Sequence, residues 1–289
     1  MTPITLNLKG KLYNLTDQPI VMGIMNTTPD SFYSGSRTSF AESDILARAE
    51  QLLSEGADIL DIGGYSTRPG ASPVSEQEEW ERVKPALKVL EKEHPALPLS
   101  IDTFRANIAQ RAVEEYGVAI VNDVSGGTLD SNMFRTMVHL QTPYILMHMR
   151  GTPSTMSSLT QYDNVTLDVI RDMEAKRSQL RSLGFRSDII IDPGFGFSKN
   201  ISQNYEMLQN LRMFEIFDAP LLVGISRKKM IWELLETSPE EALNGTTVLN
   251  TIAVLNGAHI IRVHDVKEAK EAIRIVQATL RPTDLIQQS

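Results

Sequence analysis

Eight short runs of apolar and β-branched residues, each followed by a longer stretch with helical spacing, constrain this chain more than any other feature. The runs cover residues 20–25, 59–62, 97–101, 119–121, 144–147, 189–191, 221–223 and 258–262. The helical stretches cover 41–55, 76–91, 105–116, 130–139, 163–183, 205–211, 227–256 and 266–280. The runs are continuously apolar rather than alternating, as strands covered on both faces of a parallel sheet are. Strict strand–helix alternation builds βαβ units, and eight of them favour a closed (β/α)8 TIM barrel over an open α/β sheet. Residues 4–15 alternate apolar and polar side chains around Lys9-Gly10-Lys11, which predicts an N-terminal β-hairpin capping the barrel bottom. No linker or low-complexity segment divides the 289 residues, so one barrel domain over 1–289 is expected.

Composition narrows the function. The absence of cysteine excludes a disulfide framework, a thiolate metal site and a cysteine nucleophile. A net charge of −8 argues against nucleic-acid partners, yet leaves room for an anionic small molecule in a locally basic pocket. The first residues lack the apolar core of a signal peptide, and no run is long enough for a membrane span. A cytoplasmic setting is expected.

Every run exits into polar residues: Asn26, Asp61, Asp102, Asn122 with Asp123, His148, Asp192, Ser226 with Lys228, and Arg262 with His264. A single Asp or Asn at a strand end is often a turn former or a cap. All eight strands ending this way places a site on the C-terminal rim of the barrel. Asp102, Asn122 and Asp192 follow apolar runs and should sit deep, where a heterocycle with N–H donors would satisfy them. Arg262, His264 and Lys228 supply cations, and Asn26 supplies an oxygen suited to a hard metal. Together they fit an activated pyrophosphate ester of a heterocycle. Two polar loops, 26–38 and 63–75, read as lids, and Arg68 is placed to close over an anion. Trp80, Trp232 and the methionines read as packing, His94 and His139 as helix residues without chemistry. Met147-His148-Met149 lacks the further ligands of a soft-metal site, and Gly194-Phe195-Gly196 is too short for a dinucleotide fingerprint.

Eight segments, in order, resemble the dihydropteroate synthases: MGIMNTTPDSF (22–32), DIGGYSTRPGA (61–71), IDT (101–103), VND (121–123), LMHMRGTP (146–153), DPGFGFSKN (192–200), GISRKKMI (224–231) and GAHIIRVHDV (257–266). The resemblance implies condensation of 6-hydroxymethyl-7,8-dihydropterin pyrophosphate with 4-aminobenzoate, giving 7,8-dihydropteroate and pyrophosphate. It implies that Asp102, Asn122, Asp192 and Lys228 hold the pterin, while Thr67, Arg68, Arg262 and His264 hold the pyrophosphate. Pro69, Phe197, Ser226 and Lys228 would frame the aminobenzoate, Asn26 would ligate Mg2+, and the enzyme would be a homodimer through its last βα units. Two loop positions depart from the family pattern: Tyr33-Ser34-Gly35-Ser36 replaces an Asp followed by two Gly, and Tyr65 stands where Glu is usual. The alternatives are a pterin-binding methyltransferase barrel and a non-catalytic pterin-binding homologue. The first would need neither the Ser226-Arg227-Lys228 nor the Arg262-Val263-His264-Asp265 set, and the second would be free to lose Asn26, Lys228 or Arg262.

Overall fold

A computed structural model describes residues 3–27, 41–66 and 74–282 of the chain. The segment 4–15 forms the expected hairpin, β1 (Thr5–Leu8) and β2 (Lys11–Asn14), paired antiparallel with Leu8 opposite Lys11. The two residues between, Lys9 and Gly10, have φ of 49° and 79°, the pair of positive φ angles that a tight type I′ hairpin turn requires.

Eight further strands follow: β3 (Ile20–Asn26), β4 (Ile59–Gly63), β5 (Leu99–Asp102), β6 (Ile120–Asp123), β7 (Tyr144–Met147), β8 (Ile189–Asp192), β9 (Leu222–Val223) and β10 (Ile260–Val263). They pair in parallel in the order β8-β7-β6-β5-β4-β3-β10-β9. An Ile191–Leu221 bridge joins the two edges, with Ile191 N donating to Pro220 O at 2.8 Å. The barrel therefore closes, which removes any free sheet edge. Around it lie α1 (Glu42–Ser54), α2 (Glu76–Glu93), α3 (Ala106–Tyr116), α4 (Met133–Leu140), α5 (Val165–Ser182), α6 (Ile201–Gln209), α7 (Lys229–Trp232), α8 (Leu243–Leu255) and α9 (Val266–Leu280). Among the described residues, no helix is long and apolar enough to cross a membrane.

Of the boundaries that differ from the sequence reading, two have clear local reasons. Helix α6 starts at Ile201 rather than 205, because Asn200 and Gln203 form a reciprocal capping box. Helix α4 starts at Met133 rather than 130, because the Asp130 carboxylate accepts from the N–H groups of Asn132 and Ala106. Trp80 is buried and Trp232 packs against the same core, as their reading as packing residues requires.

Parity along the strands sorts their side chains. Val21, Leu60, Ile62, Leu99, Ile101, Val121, Leu146, Ile191 and Ile261 face the helices in one large core. Ile20, Met22, Ile59, Ile120, Ile145, Ile190, Leu222 and Ile260 point inward and form a separate cluster. Leu6, Leu8 and Leu15 of the hairpin region belong to that inner cluster and are almost fully buried. The hairpin is thus the floor of the barrel. Its other face is wet, with Leu12 66% exposed.

This asymmetry makes a test within one hairpin. Leu6→Ala leaves a cavity under the barrel and should cost about 2–5 kcal/mol of stability, whereas Leu12→Ala, on the wet face, should cost under about 0.5 kcal/mol. Urea unfolding followed by circular dichroism measures both. Equal losses would show that the hairpin does not serve as the floor.

Candidate active site

On five strands, two residues beyond an inward side chain that is apolar on four of them and the buried Ser100 on the fifth, the same parity brings a polar residue into the mouth. Ile59 is followed by Asp61, Ser100 by Asp102, Ile120 by Asn122, Ile190 by Asp192 and Ile260 by Arg262. Strand pairing aligns them: Gly63 is opposite Asp102, and Asp102 is opposite Asn122. A polar layer therefore sits directly on an apolar one. The opposite parity sends Asp123 outward, where it accepts from Tyr144 Oη, Ser125 and the Gly127 N–H. That carboxylate holds a loop and does not face the mouth.

Arg262 organises one side of the layer. Its Nε donates to Asp61 Oδ2 at 2.7 Å and its Nη2 donates to Asp102 Oδ2 at 2.7 Å. The same Asp61 oxygen accepts from Asn122 Nδ2 at 3.0 Å. Asp61 is completely buried, so its charge requires these partners. Burial opposes the charge of Arg262, but Asp61 and Asp102 hold its pKa above the ordinary value. Burial raises Asp102 to about 7, an effect that Arg262 opposes and Asp61 reinforces. Burial also raises Asp192, against the pull of Lys228.

The opposite side is built by the loop after β8. Asp192 Oδ1 accepts from Gly194 N at 2.8 Å. Lys199 turns back under this loop and donates to Gly194 O and Phe197 O at 2.9 Å each, and to His148 Nδ1 at 3.0 Å. Desolvation lowers both Lys199 and His148 well below their usual pKa values. His148, read from sequence as a rim residue, lies wholly buried behind the loop. The turn requires glycine at 194: a Cβ there would lie 2.0 Å from His148 O. The loop presents Phe197, with Lys228 Nζ 4.7 Å from its ring centroid. Lys228 also donates to Phe195 O at 2.5 Å, and burial lowers its pKa to about 8, against the attraction of Asp192.

The upper rim holds the remaining groups. Ser226 Oγ lies 3.0 Å from His264 Nδ1 and accepts from the His264 N–H at 3.2 Å. Arg227 is turned away, in a two-pronged pair with Asp265 at 2.8 and 2.9 Å. Across the mouth, a Cβ placed on Gly63 would lie 3.6 Å from Asp102 Oδ2 and 3.7 Å from Asn26 Oδ1, so these two oxygens flank a bare glycine. Tyr65 packs edge-on against Phe104, centroids 5.1 Å apart, beside the Arg105 guanidinium. Arg105 in turn is paired with buried Glu79. Thr67, Arg68 and Pro69, and most of the first polar loop including Ser34, lie outside the described residues.

Of the residues expected at the site, Asn26, Asp102, Asn122, Asp192, Phe197, Ser226, Lys228, Arg262 and His264 all come to this end of the barrel. Asp61 and Lys199 carry structural weight that the sequence reading did not assign. Asp61 was visible as a strand-end carboxylate, but its pairing with a strand some 200 residues away was not. Lys199 was hidden because a lysine in a polar loop ordinarily reads as solvated.

A family model described as pterin binding enzyme matches residues 22–264. The dihydropteroate synthase of Escherichia coli K12 is 41% identical over 263 residues, covering 91% of this chain and 92% of that protein. The structure of a Yersinia pestis dihydropteroate synthase with a sulfonamide drug superposes with a TM-score of 0.88 at 39% identity, covering 96% of this chain and 99% of that one. A Xanthomonas albilineans dihydropteroate synthase with 4-aminobenzoic acid gives a TM-score of 0.87 at 37% identity, again over 96% and 99% of the two chains.

Lys199→Met keeps the side-chain length but strips donors from two buried carbonyls and from His148. The expected loss is about 1–3 kcal/mol for each acceptor left bare, together with faster amide hydrogen exchange across residues 194–199. Exchange in that segment unchanged from the parent would rule out Lys199 as the support of the loop.

Proposed function

Because this chain belongs to the pterin-binding enzyme family as a dihydropteroate synthase, we propose that the inward polar layer holds the pterin of its pyrophosphate substrate. The enzyme joins 6-hydroxymethyl-7,8-dihydropterin pyrophosphate to 4-aminobenzoate, forming 7,8-dihydropteroate and pyrophosphate. The observation that carries the site assignment is the convergence of Asp102, Asn122 and Asp192 on one layer above an apolar floor. These acceptors suit the N–H groups of a pterin edge, and Lys228 completes the pterin set. The pyrophosphate lies above, against Arg262, His264, Thr67 and Arg68. Arg262 Nη1 makes no hydrogen bond among the described residues, and so is available to a phosphate oxygen. Phe197, Pro69, Ser226 and Lys228 frame the aminobenzoate.

Each group then has a task in the transfer. The bond that breaks joins the pterin methylene to a pyrophosphate oxygen, and the bond that forms joins that methylene to the arylamine nitrogen, which loses a proton. Carboxylates around the ring favour positive charge developing on the methylene. The Arg262 guanidinium meets charge building on the leaving oxygen. The arylamine is a weak neutral nucleophile, so holding it against Phe197 and Lys228 contributes more than removing its proton.

The residues present fit Mg2+. Asn26 offers a neutral oxygen facing Asp102 across Gly63, and Mg2+ bound with a phosphate substrate needs only one or two protein ligands. Asn26 would hold the ion, which would neutralise charge on the departing pyrophosphate. The proposal also covers the setting. The whole chain, 1–289, is one barrel domain, acts in the cytoplasm, and pairs as a homodimer through the last helices. Leu234, Leu235, Val248, Leu255 and Ile275, all on or next to those helices, are exposed and give that interface its apolar surface.

Two measurements test the site. Incubation with both substrates and Mg2+ should yield dihydropteroate by mass spectrometry, and labelled aminobenzoate should bind at least about tenfold more tightly when Mg2+ and pyrophosphate are present. Equal aminobenzoate affinity in both conditions would show a pocket formed without them. The pH profile of kcat/KM should be bell-shaped. Asp102 must be ionised to accept ring N–H bonds, so activity falls as pH drops below about 7. Lys228 must be charged to attract the aminobenzoate carboxylate, so activity falls again above about 8. Lys228→Arg, which stays charged, should remove the alkaline limb; its persistence would refute the assignment to Lys228.

A further inference from the structure

Asn122 and Asp61 meet through one oxygen, and that contact fixes which way a carboxamide points. Asp61 Oδ2 accepts from the Arg262 Nε–H at 2.7 Å, a donor that stays protonated at any working pH. An oxygen engaged in this way also accepts from Asn122, so the atom of Asn122 facing it at 3.0 Å must be the NH2 group. The carboxamide oxygen is thereby directed to the other side. Among the described residues no donor is hydrogen-bonded to Asn122 Oδ1, although Asn122 as a whole is only 3% exposed. A deep acceptor without a protein partner, beside Asp102 in register, is a place reserved for a ligand donor.

From this geometry we propose that Asp61 is a specificity-determining positioning residue: it locks the Asn122 carboxamide with its oxygen toward the ligand and so selects ring edges that carry an amino donor. The proposal rests on the reading that a pterin occupies this mouth. The 2-amino group and neighbouring ring N–H of a pterin offer donors, whereas the 2-oxo counterpart, a lumazine, offers a carbonyl oxygen in place of the amino group. Carbonyl against locked carboxamide oxygen leaves the buried Asn122 acceptor unpaired, which is costly. An unlocked carboxamide would turn over and donate to the oxo ligand, because the side chain is hydrogen-bonding in either orientation. Selectivity for the amino heterocycle thus depends on a residue that need not touch it.

The test separates the acceptor role of Asp61 from its charge. Binding of 6-hydroxymethylpterin and of its 2-oxo counterpart is measured by calorimetry for the parent, Asp61→Ala and Asp61→Asn, each first checked for folding by circular dichroism. The parent should prefer the amino ligand by about 10- to 100-fold, the range expected for one bare buried acceptor. Asp61→Ala should reduce that preference to within about threefold, with the oxo ligand gaining relative to the amino one. Asp61→Asn keeps an oxygen that accepts from both Arg262 and Asn122. It should therefore retain the parent preference while weakening both ligands alike, because Arg262 has lost a counter-charge. A purely structural role for Asp61 would weaken both ligands without moving the ratio. Should the alanine variant fail to fold, Asp61→Ser carries the same expectation, since a hydroxyl can donate to or accept from the amide. A parent-like ratio in the alanine or serine variant, or loss of the ratio in the asparagine variant, overturns the proposal. A parent protein that binds neither ligand instead overturns the pterin reading beneath it.

Discussion

A guanidinium held inside a barrel between two carboxylates is the interaction on which the rest of this site depends. Arg262 crosses from β10 to Asp61 on β4 and Asp102 on β5. Breaking such a buried arrangement from either side strands a charge, which costs far more than a surface pair is worth. Its value lies less in net stability than in geometry. One guanidinium plane fixes two carboxylates, and one of those carboxylates fixes an amide. Four side chains from four strands thereby acquire single orientations before any ligand arrives, the preorganisation that makes polar recognition effective.

The floor beneath makes those charges responsive. An apolar layer sealed by Leu6 and Leu8 denies the polar layer a second route to water, so desolvation dominates its acids and amines. The same burial that raises Asp102 and Asp192 lowers Lys228 and Lys199. Acid and amine values move toward one another, which brings Asp102 and Lys228 near neutrality, the range in which a small change of surroundings changes charge. The floor and the chemistry are parts of one arrangement.

Much of this was legible in the sequence. Apolar runs locate parallel strands, and the residue after each run locates the rim, because both are local properties. The polar strand-end residues named by that local reading lie at or beside this rim, whereas Phe197 was named only through the family resemblance. What escaped it depends on parity or on distant partners. Asp123 neighbours Asn122 yet faces the opposite way, because successive strand residues alternate faces and a pair of polar residues cannot both point inward. His148 ends a strand like the others, but its loop folds over it and Lys199 fills its ring nitrogen. Asp61 is one carboxylate among several until β10 closes beside β3 and brings Arg262 within reach. The start of α6 was misplaced because a capping box of Asn200 and Gln203 carries no apolar signal.

The hairpin floor has a consequence for how the molecule comes into being. Leu6 and Leu8 precede every barrel strand in the chain, yet their cluster includes Leu222 and Ile260. During synthesis they emerge long before those partners exist, and a side chain cannot be buried against residues not yet made. Their apolar face must wait, in water or against provisional neighbours, while more than two hundred residues are added. Contacts so distant along the chain are slow to form and leave apolar surface open to association in the meantime. Lys9 within the turn and Lys11 directly after it keep the waiting strands charged, a feature that discourages edge-to-edge pairing. The segment that seals the barrel is thus made early and buried late, and its solubility in the interval is written into its turn.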